Sequence, residues 1–457
     1  MSPQGRRLSR QLGLFDATMV VMGGIVGAGI FINPYVVAQQ VHTPGQILAA
    51  WIFGGVIGLA GAFIWAELAA HMPEVGGQYA YLREAYHPWI AFLYGWVLLL
   101  VIQTGGMAAV SITFARYFLE LTRWPVPDWV AATAALGLLT LINCLGVKTG
   151  GRTQSALTVM KVVAIAMLVI GGLVWAGHAI PAPRQERAWN WGSFGAAMVP
   201  VLFAYGGWQT ANFVAAEVRD PRKNLPRGLV MGVLGVVVLY TTVSWVCVRA
   251  LGPAALADTR TPATAVMRMA AGARGATFIA AAIAISTLGF LSQSILTAPR
   301  VYFAIADDGL FFRAVAWIDP RTHVPVVAIV LQSVWTIVIA LSGRYEQILN
   351  YVVSMDFLFF GLTATTIFHF RRREISALKT KDAGYHGEKV LYRVPGHPVT
   401  TVLFVAICWW VVANTIYRYP QNSLIGFAIL LAGVPVYWMW SRRTDSPPRS
   451  PGAEQGK

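Results

Sequence analysis

The length of its apolar runs constrains this chain more than any other feature. Hydrophobic residues gather in blocks of about twenty, enough helix to cross a bilayer core of about 30 Å. Twelve blocks can be read, near 14–40, 46–71, 89–120, 128–146, 153–176, 192–217, 227–251, 275–305, 324–342, 347–370, 399–417 and 423–441. Between them no stretch has the charge density of a water-facing domain: 12% of the 457 residues are charged, against about a quarter in soluble domains. The sequence predicts an all-α membrane protein with 12 transmembrane helices, and it excludes a soluble enzyme, a disordered chain and a disulfide scaffold. Blocks longer than 25 residues imply tilt, or helix continuing beyond the bilayer.

The charge balance is basic, with 35 Lys and Arg against 20 Asp and Glu. In a soluble protein this would suggest nucleic acid, but position decides otherwise. An even number of spans puts both termini on one side, and 24 of the basic residues fall on that side, ten on the other, with Lys161 left inside a span. The positive-inside rule then places both termini in the cytoplasm of a multi-pass plasma (inner) membrane protein, with no nucleic acid partner. The first apolar run follows Arg6, Arg7 and Arg10 but is too long for a signal peptide and lacks an Ala-x-Ala cleavage site, so it is expected to be retained. Cys144, Cys247 and Cys408 lie in or at the ends of spans and predict no loop disulfide. The eight histidines fall in loops or near span ends, without a metal cluster, so neither metal nor cofactor is expected.

Two spans resist reading as continuous helices. The first contains Gly23-Gly24-Ile25-Val26-Gly27-Ala28-Gly29-Ile30-Phe31, followed by Asn33 and Pro34. Each glycine costs a helix about 1 kcal/mol relative to alanine. Close packing through small residues would explain that segment alone. The sixth span, however, contains Phe203-Ala204-Tyr205-Gly206-Gly207-Trp208-Gln209, a second glycine break at mid-span. Breaks in spans one and six are the placement expected if spans 1–5 and 6–10 are halves of opposite topology, and paired interruptions of this kind point to a transporter binding site. A helix broken at mid-membrane leaves N–H and C=O groups without partners, tolerable only beside protein, water or ligand. Free N–H groups at the positive end of a half-helix suit a carboxylate, and free carbonyls suit an ammonium group or a cation. A zwitterionic amino acid carries both complements.

These residues resemble the amino acid–polyamine–organocation (APC) superfamily and, within it, the L-type amino acid transporter branch in a bacterial form. Gly27-Ala28-Gly29-Ile30-Phe31 is similar to the Gly-Ser/Ala-Gly-Ile-Phe motif of the family's first segment, and Phe203 to Trp208 to the Phe-Ala-Tyr-Gly-Gly-Trp run of its sixth. The run 217–227 from Glu217, the stretch from Pro299-Arg300 to Asp308-Gly309-Leu310, and Glu67 to Pro73 with Gly76-Gly77 and Tyr79 resemble its loops six–seven, eight–nine and two–three. The resemblance runs from about residue 10 to 440. It implies a LeuT-type 5+5 inverted repeat, with a first repeat over 14–176, a second over 192–370, two further helices over 399–441, a cytoplasmic N-terminus over 1–13 and a disordered cytoplasmic tail over 442–457. It also implies alternating access and transport of L-amino acids. Eukaryotic members are disulfide-linked to a heavy chain through a Cys between segments three and four. The corresponding stretch, Glu120 to Asp128, has none, so no disulfide-linked heavy chain is expected.

The resemblance further implies roles for single residues. Lys161 lies eight residues, about 12 Å of helix, inside span five. It could snorkel to the surface. In similar proteins a Lys in a Gln154, Thr158, Lys161 setting points at broken segment one, its ammonium standing where sodium-coupled relatives hold sodium. Ser286 and Thr287 fall where those relatives place hydroxyl ligands and would face Lys161, unless they bond within their own helix. Tyr240 is either a packing residue or a wall of the site. Phe203, beside the second break, is the expected aromatic lid. Asp356 lies where the family has a neutral polar residue. It is either a structural pair or a pH-sensitive part of the cavity.

The expected substrate-binding residues are thus Ile25, Gly27, Ala28, Gly29, Ile30, Phe203, Ala204, Tyr205, Gly206 and Tyr240. The carboxylate would bind N–H groups around Ala28 to Ile30, and the amine carbonyls of both breaks. The expected function is sodium-independent transport, by exchange, of neutral and small L-amino acids. A proton-coupled amino acid or amine symporter on the same fold is the alternative. Charges at the cytoplasmic rim, among them Glu67, Glu217, Asp307 and Asp308, could pair with Arg219, Arg222 or Arg300 as an inner gate.

Overall fold

The computed structural model describes residues 12–72, 77–145, 151–175, 190–209, 212, 218–322, 324–342, 345–380 and 392–444. In chain order the helices are α1 (Leu14–Ile25), α2 (Gly29–Gln40), α3 (Pro44–His71), α4 (Gln78–Ala85), α5 (Pro88–Val97), α6 (Gln103–Thr122), α7 (Asp128–Cys144) and α8 (Gly151–Val174). There follow α9 (Trp191–Tyr205), α10 (Pro221–Asp258), α11 (Pro262–Thr297), α12 (Pro299–Asp307), α13 (Val326–Ser342), α14 (Tyr345–Thr380), α15 (Val399–Arg418) and α16 (Pro420–Thr444). A π-helical turn, Leu98–Ile102, joins α5 to α6.

Seven helical segments are individually long and apolar enough to cross a membrane, α1 and α2 together form an eighth bent by 42°, and four shorter apolar helices include Val159–Val174 of α8. These are the twelve spans, and the molecule is a multi-pass, all-α membrane protein of the LeuT-type 5+5 arrangement. Local chemistry sets many helix starts. Pro44 opens α3 while the Thr43 hydroxyl accepts the Gln46 N–H at 3.3 Å. Asn190 caps α9 by accepting from Gly192 and Ser193 at 2.9 and 3.2 Å. Proline at the first helical turn, where no N–H partner is lost, also opens α5, α10 and α11.

Several elements outrun their apolar blocks. α10 extends to Pro221 and Asp258, and α11 begins at Pro262, bending at Ala271–Gly272. Their polar ends continue as helix past the hydrophobic layer. α16 runs to Thr444, into the stretch read as tail, whose remainder lies outside the described residues. The α-helix of span six stops at Tyr205, Trp208 and Gln209 are 3-10 helical after the turn, and residues 210, 211 and 213–217 lie outside the described residues. At the face holding the termini, Leu12 and Val218 form a parallel β-bridge, and the Arg219 N–H donates to the Leu12 carbonyl at 2.8 Å. That rung links the entry of span one to the exit of span six.

The core lies along the broken helices. Trp51 of α3 meets Tyr205 of α9 and Tyr240 of α10 at ring-centroid distances of 5.9 Å each, and the two tyrosines lie 5.2 Å apart. Nearer the terminal face, Trp65, Trp208, Phe360 and Phe404 pack around the turn that follows α9.

Candidate functional site

Both glycine clusters are breaks, and they face each other. Residues Val26, Gly27 and Ala28 are non-helical between α1 and α2. α9 stops at Gly206, whose N–H closes the last turn on Leu202, and Gly207 follows at φ +108°. That backbone conformation favours glycine. It also lets Gly207 rest on the chain of α1, because a Cβ there would stand 2.2 Å from the Gly24 carbonyl oxygen. One turn away, a Cβ on Gly29 would stand 2.7 Å from Cα of Ala204. Missing side chains thus bring the two broken helices into backbone contact. Asn33 ties them together further along, donating to the Pro200 carbonyl at 2.6 Å and accepting from the Tyr345 hydroxyl at 2.8 Å.

Polar groups freed by the breaks are disposed by sign. At the start of α2 the Gly29 and Ile30 N–H groups have no backbone partner one turn back among the described residues, whereas the Phe31 N–H donates to the Ala28 carbonyl at 3.1 Å. The last carbonyls of α1 are met by side chains. The Tyr240 hydroxyl donates to Ile25 at 2.9 Å, and Lys161 Nζ donates to Val26 at 3.2 Å. Lys161 is 1% exposed, so it reaches into the break and does not snorkel. Its ammonium lies 5.6 Å from the Phe290 ring centroid, a cation–π arrangement, and the same ring bounds Gly27. The terminal carbonyls of α9, around Phe203, Ala204 and Tyr205, form the negative end of the second half-helix.

Sequence reasoning missed Phe290, although it falls four residues after Ser286 and therefore on the same face of α11. Thr287 donates within its own helix to Ile283 and Ala284, each at 2.9 Å, while the buried Ser286 hydroxyl has no hydrogen-bond partner among the described residues. The hydrogen bond from Lys161 goes to the Val26 carbonyl instead. Phe203 is half-buried at the end of α9, next to the break. Gln154 and Thr158 have no described side chains. Asp356 lies within electrostatic reach of Tyr94 of α5 and Cys408 of α15, and among the described residues no cation pairs with it.

On the face opposite the termini, a mixed-charge cavity of about 620 Å³ is lined by Tyr35, Arg116, Asp128, Arg260, Tyr345 and Glu346, among others. Tyr35 donates to Glu346 at 2.5 Å, and Arg116 lies over the Tyr345 ring. On the terminal face, Glu67 is fully buried and accepts two hydrogen bonds from Arg371, both at 2.7 Å, and one from the Val394 N–H at 2.6 Å. Its arginine partners are Arg371 and Arg393, not those of loops six–seven or eight–nine, because the end of α14 comes beside α3. Asp308 joins Arg83 and Tyr79, both at 2.7 Å. Burial and the Asp308 carboxylate push the Tyr79 phenol well up. Burial opposes the Arg83 charge, but Asp308 outweighs it and raises that group too. Neither donor changes protonation near neutral pH. Glu217 and the Asp307 side chain lie outside the described residues.

Two interrupted helices that meet at mid-membrane and offer N–H groups beside carbonyls define a secondary transporter for a small solute with both charges. The sequence pattern of the amino acid permease family matches residues 12–440, and the chain belongs to that family. It is an amino acid transporter. Curated relatives agree along nearly the full length. The serine/threonine exchanger SteT of Bacillus subtilis (strain 168) is 29% identical over 454 residues, 98% of this chain and 100% of that one. The human large neutral amino acids transporter small subunit 2 is 29% identical over 95% of this chain and 81% of its own length. The human cystine/glutamate transporter is 27% identical over 95% and 86%.

Proposed function

We propose that this chain is a sodium-independent exchanger of small neutral L-amino acids, working by alternating access with both termini in the cytoplasm. The observation that carries sodium independence is the contact of Lys161 with the Val26 carbonyl. A fixed ammonium satisfies a carbonyl of the break that a bound cation would otherwise neutralise. The substrate carboxylate then rests on the N–H groups of Ala28, Gly29 and Ile30. Because Ile25 and Val26 are already occupied by Tyr240 and Lys161, the α-amine is held chiefly by the α9 carbonyls. Backbone contacts recognise the amino acid core, and the small Gly27, Ala28 and Ala204, with Phe203 above, leave room for a short side chain. The full-length match to a serine/threonine exchanger supports the same size class. The 24-to-10 bias of basic residues supports the orientation, and the cysteine-free loop after α6 supports a subunit without a disulfide-linked heavy chain.

Counterflow in proteoliposomes tests this reading. Labelled serine or alanine should enter only when unlabelled amino acid is inside, at equal rates in sodium and in choline buffers. Loss of uptake in choline would overturn sodium independence. The alternative, proton-coupled symport, is favoured by one observation: the Asp356 carboxylate has no cation partner among the described residues. Uptake into empty vesicles driven by an inward proton gradient, abolished in Asp356→Asn, would select it.

A further inference from the structure

We propose that the outer end of broken span six carries a binding site for an anionic phospholipid. Between α3, α9 and α15 lies an apolar groove of about 680 Å³, walled by Ile52, Phe53, Val56, Trp191, Phe194 and Trp410. It opens outward from the helix bundle: Val56 is 58% and Trp191 69% exposed. Directly above it, toward the face opposite the termini, is a second hollow of about 300 Å³ lined by Gln40, His42, Gln46, Asn190 and Ser193. Phe194 lines both, so the two chambers adjoin.

Depth and charge identify the occupant. Ile52 and Val56 lie eight and twelve residues beyond Pro44, about 12 and 18 Å down the helix axis. That spans one leaflet of a core about 30 Å thick. The groove is therefore at the depth of acyl chains and the polar hollow at the depth of headgroups. No acidic residue lines either chamber. Arg418, at the end of α15, lies across the first turn of α9, where a Cβ on Gly192 would stand 2.3 Å from its Nη2. Arg418 follows Trp410, a wall of the groove, by eight residues, about 12 Å further along α15, so a guanidinium held there stands at headgroup depth and suits a phosphate. A lipid seated in this way braces α9, whose inner end is the Gly206-Gly207 break. The effect on transport rests on the function proposed above, whereas lipid binding does not.

Native mass spectrometry of the delipidated protein in detergent tests the site. Added phosphatidylglycerol should be retained in preference to phosphatidylcholine. Arg418→Gln, which removes the phosphate partner, and Val56→Trp, which fills the groove, should each weaken retention about tenfold, or ~1.4 kcal/mol. Both positions are exposed, and an unchanged thermal midpoint would confirm folding. Equal retention of the two lipids by the wild type, or undiminished phosphatidylglycerol adducts in both variants, would overturn the proposal. Adduct formation is read without any transport measurement, so failure of the exchanger reading leaves this test intact.

Discussion

Lys161 is a charge whose surroundings assign its work. Its ammonium is buried, hydrogen-bonded to one backbone carbonyl and set against one aromatic face. An unpaired buried carbonyl costs about 1–3 kcal/mol, so removing the ammonium should loosen the turn at Val26. Lys161→Ala should therefore lower counterflow at least about tenfold while the protein still reaches the membrane. Undiminished exchange by that variant would show that Val26 needs no cation. Tyr240→Phe is the milder test at the neighbouring carbonyl. It deletes only the hydroxyl that meets Ile25, and a neutral hydrogen bond is worth about 1 kcal/mol, so a loss of about fivefold in exchange is expected.

At the scale of elements, the decisive contact is a seam without side chains. α1 and α2 approach α9 and its turn because Gly29 and Gly207 have no Cβ. Gly207→Ala would add a methyl 2.2 Å from a backbone oxygen at positive φ, where neither partner can yield cheaply. Exchange should be lost and the thermal midpoint should fall, with a cost of about 1–3 kcal/mol or more for overpacking. Gly106→Ala is the control: no atom lies within 4 Å of its added Cβ, and it should leave transport unchanged. The breaks were legible because glycine pairs at mid-span contradict a helix on local grounds. The partners of the freed carbonyls were less so. Lys161 stood out as a charge in an apolar span, but Phe290 looks like any core phenylalanine until the turn of α11 brings it beside Gly27. Exact helix ends in α10 and α11 also escaped, since apolar patterning marks where the bilayer stops, not where hydrogen bonding does.

The whole molecule is clasped at both faces by charges that the sequence places but does not pair. Glu67 and Arg371 are 304 residues apart in sequence, so only packing of α3 against α14 reveals them as partners. Breaking such a buried pair from one side costs about 3 kcal/mol or more. Glu67→Ala should sharply lower the thermal midpoint in detergent, and the swap of Glu67→Arg with Arg371→Glu should recover part of it. Equal melting of wild type and Glu67→Ala would remove any structural weight from the clasp. The rung between Leu12 and Val218 has a different character. Among the described residues one backbone hydrogen bond, worth about 1 kcal/mol net, joins the chain entering one repeat to the chain leaving the broken span of the other. Thermal energy at room temperature undoes a bond of that size many times over. The contact is therefore a latch rather than a weld: it sets the two stretches of chain in register while contributing little to the stability of the bundle as a whole.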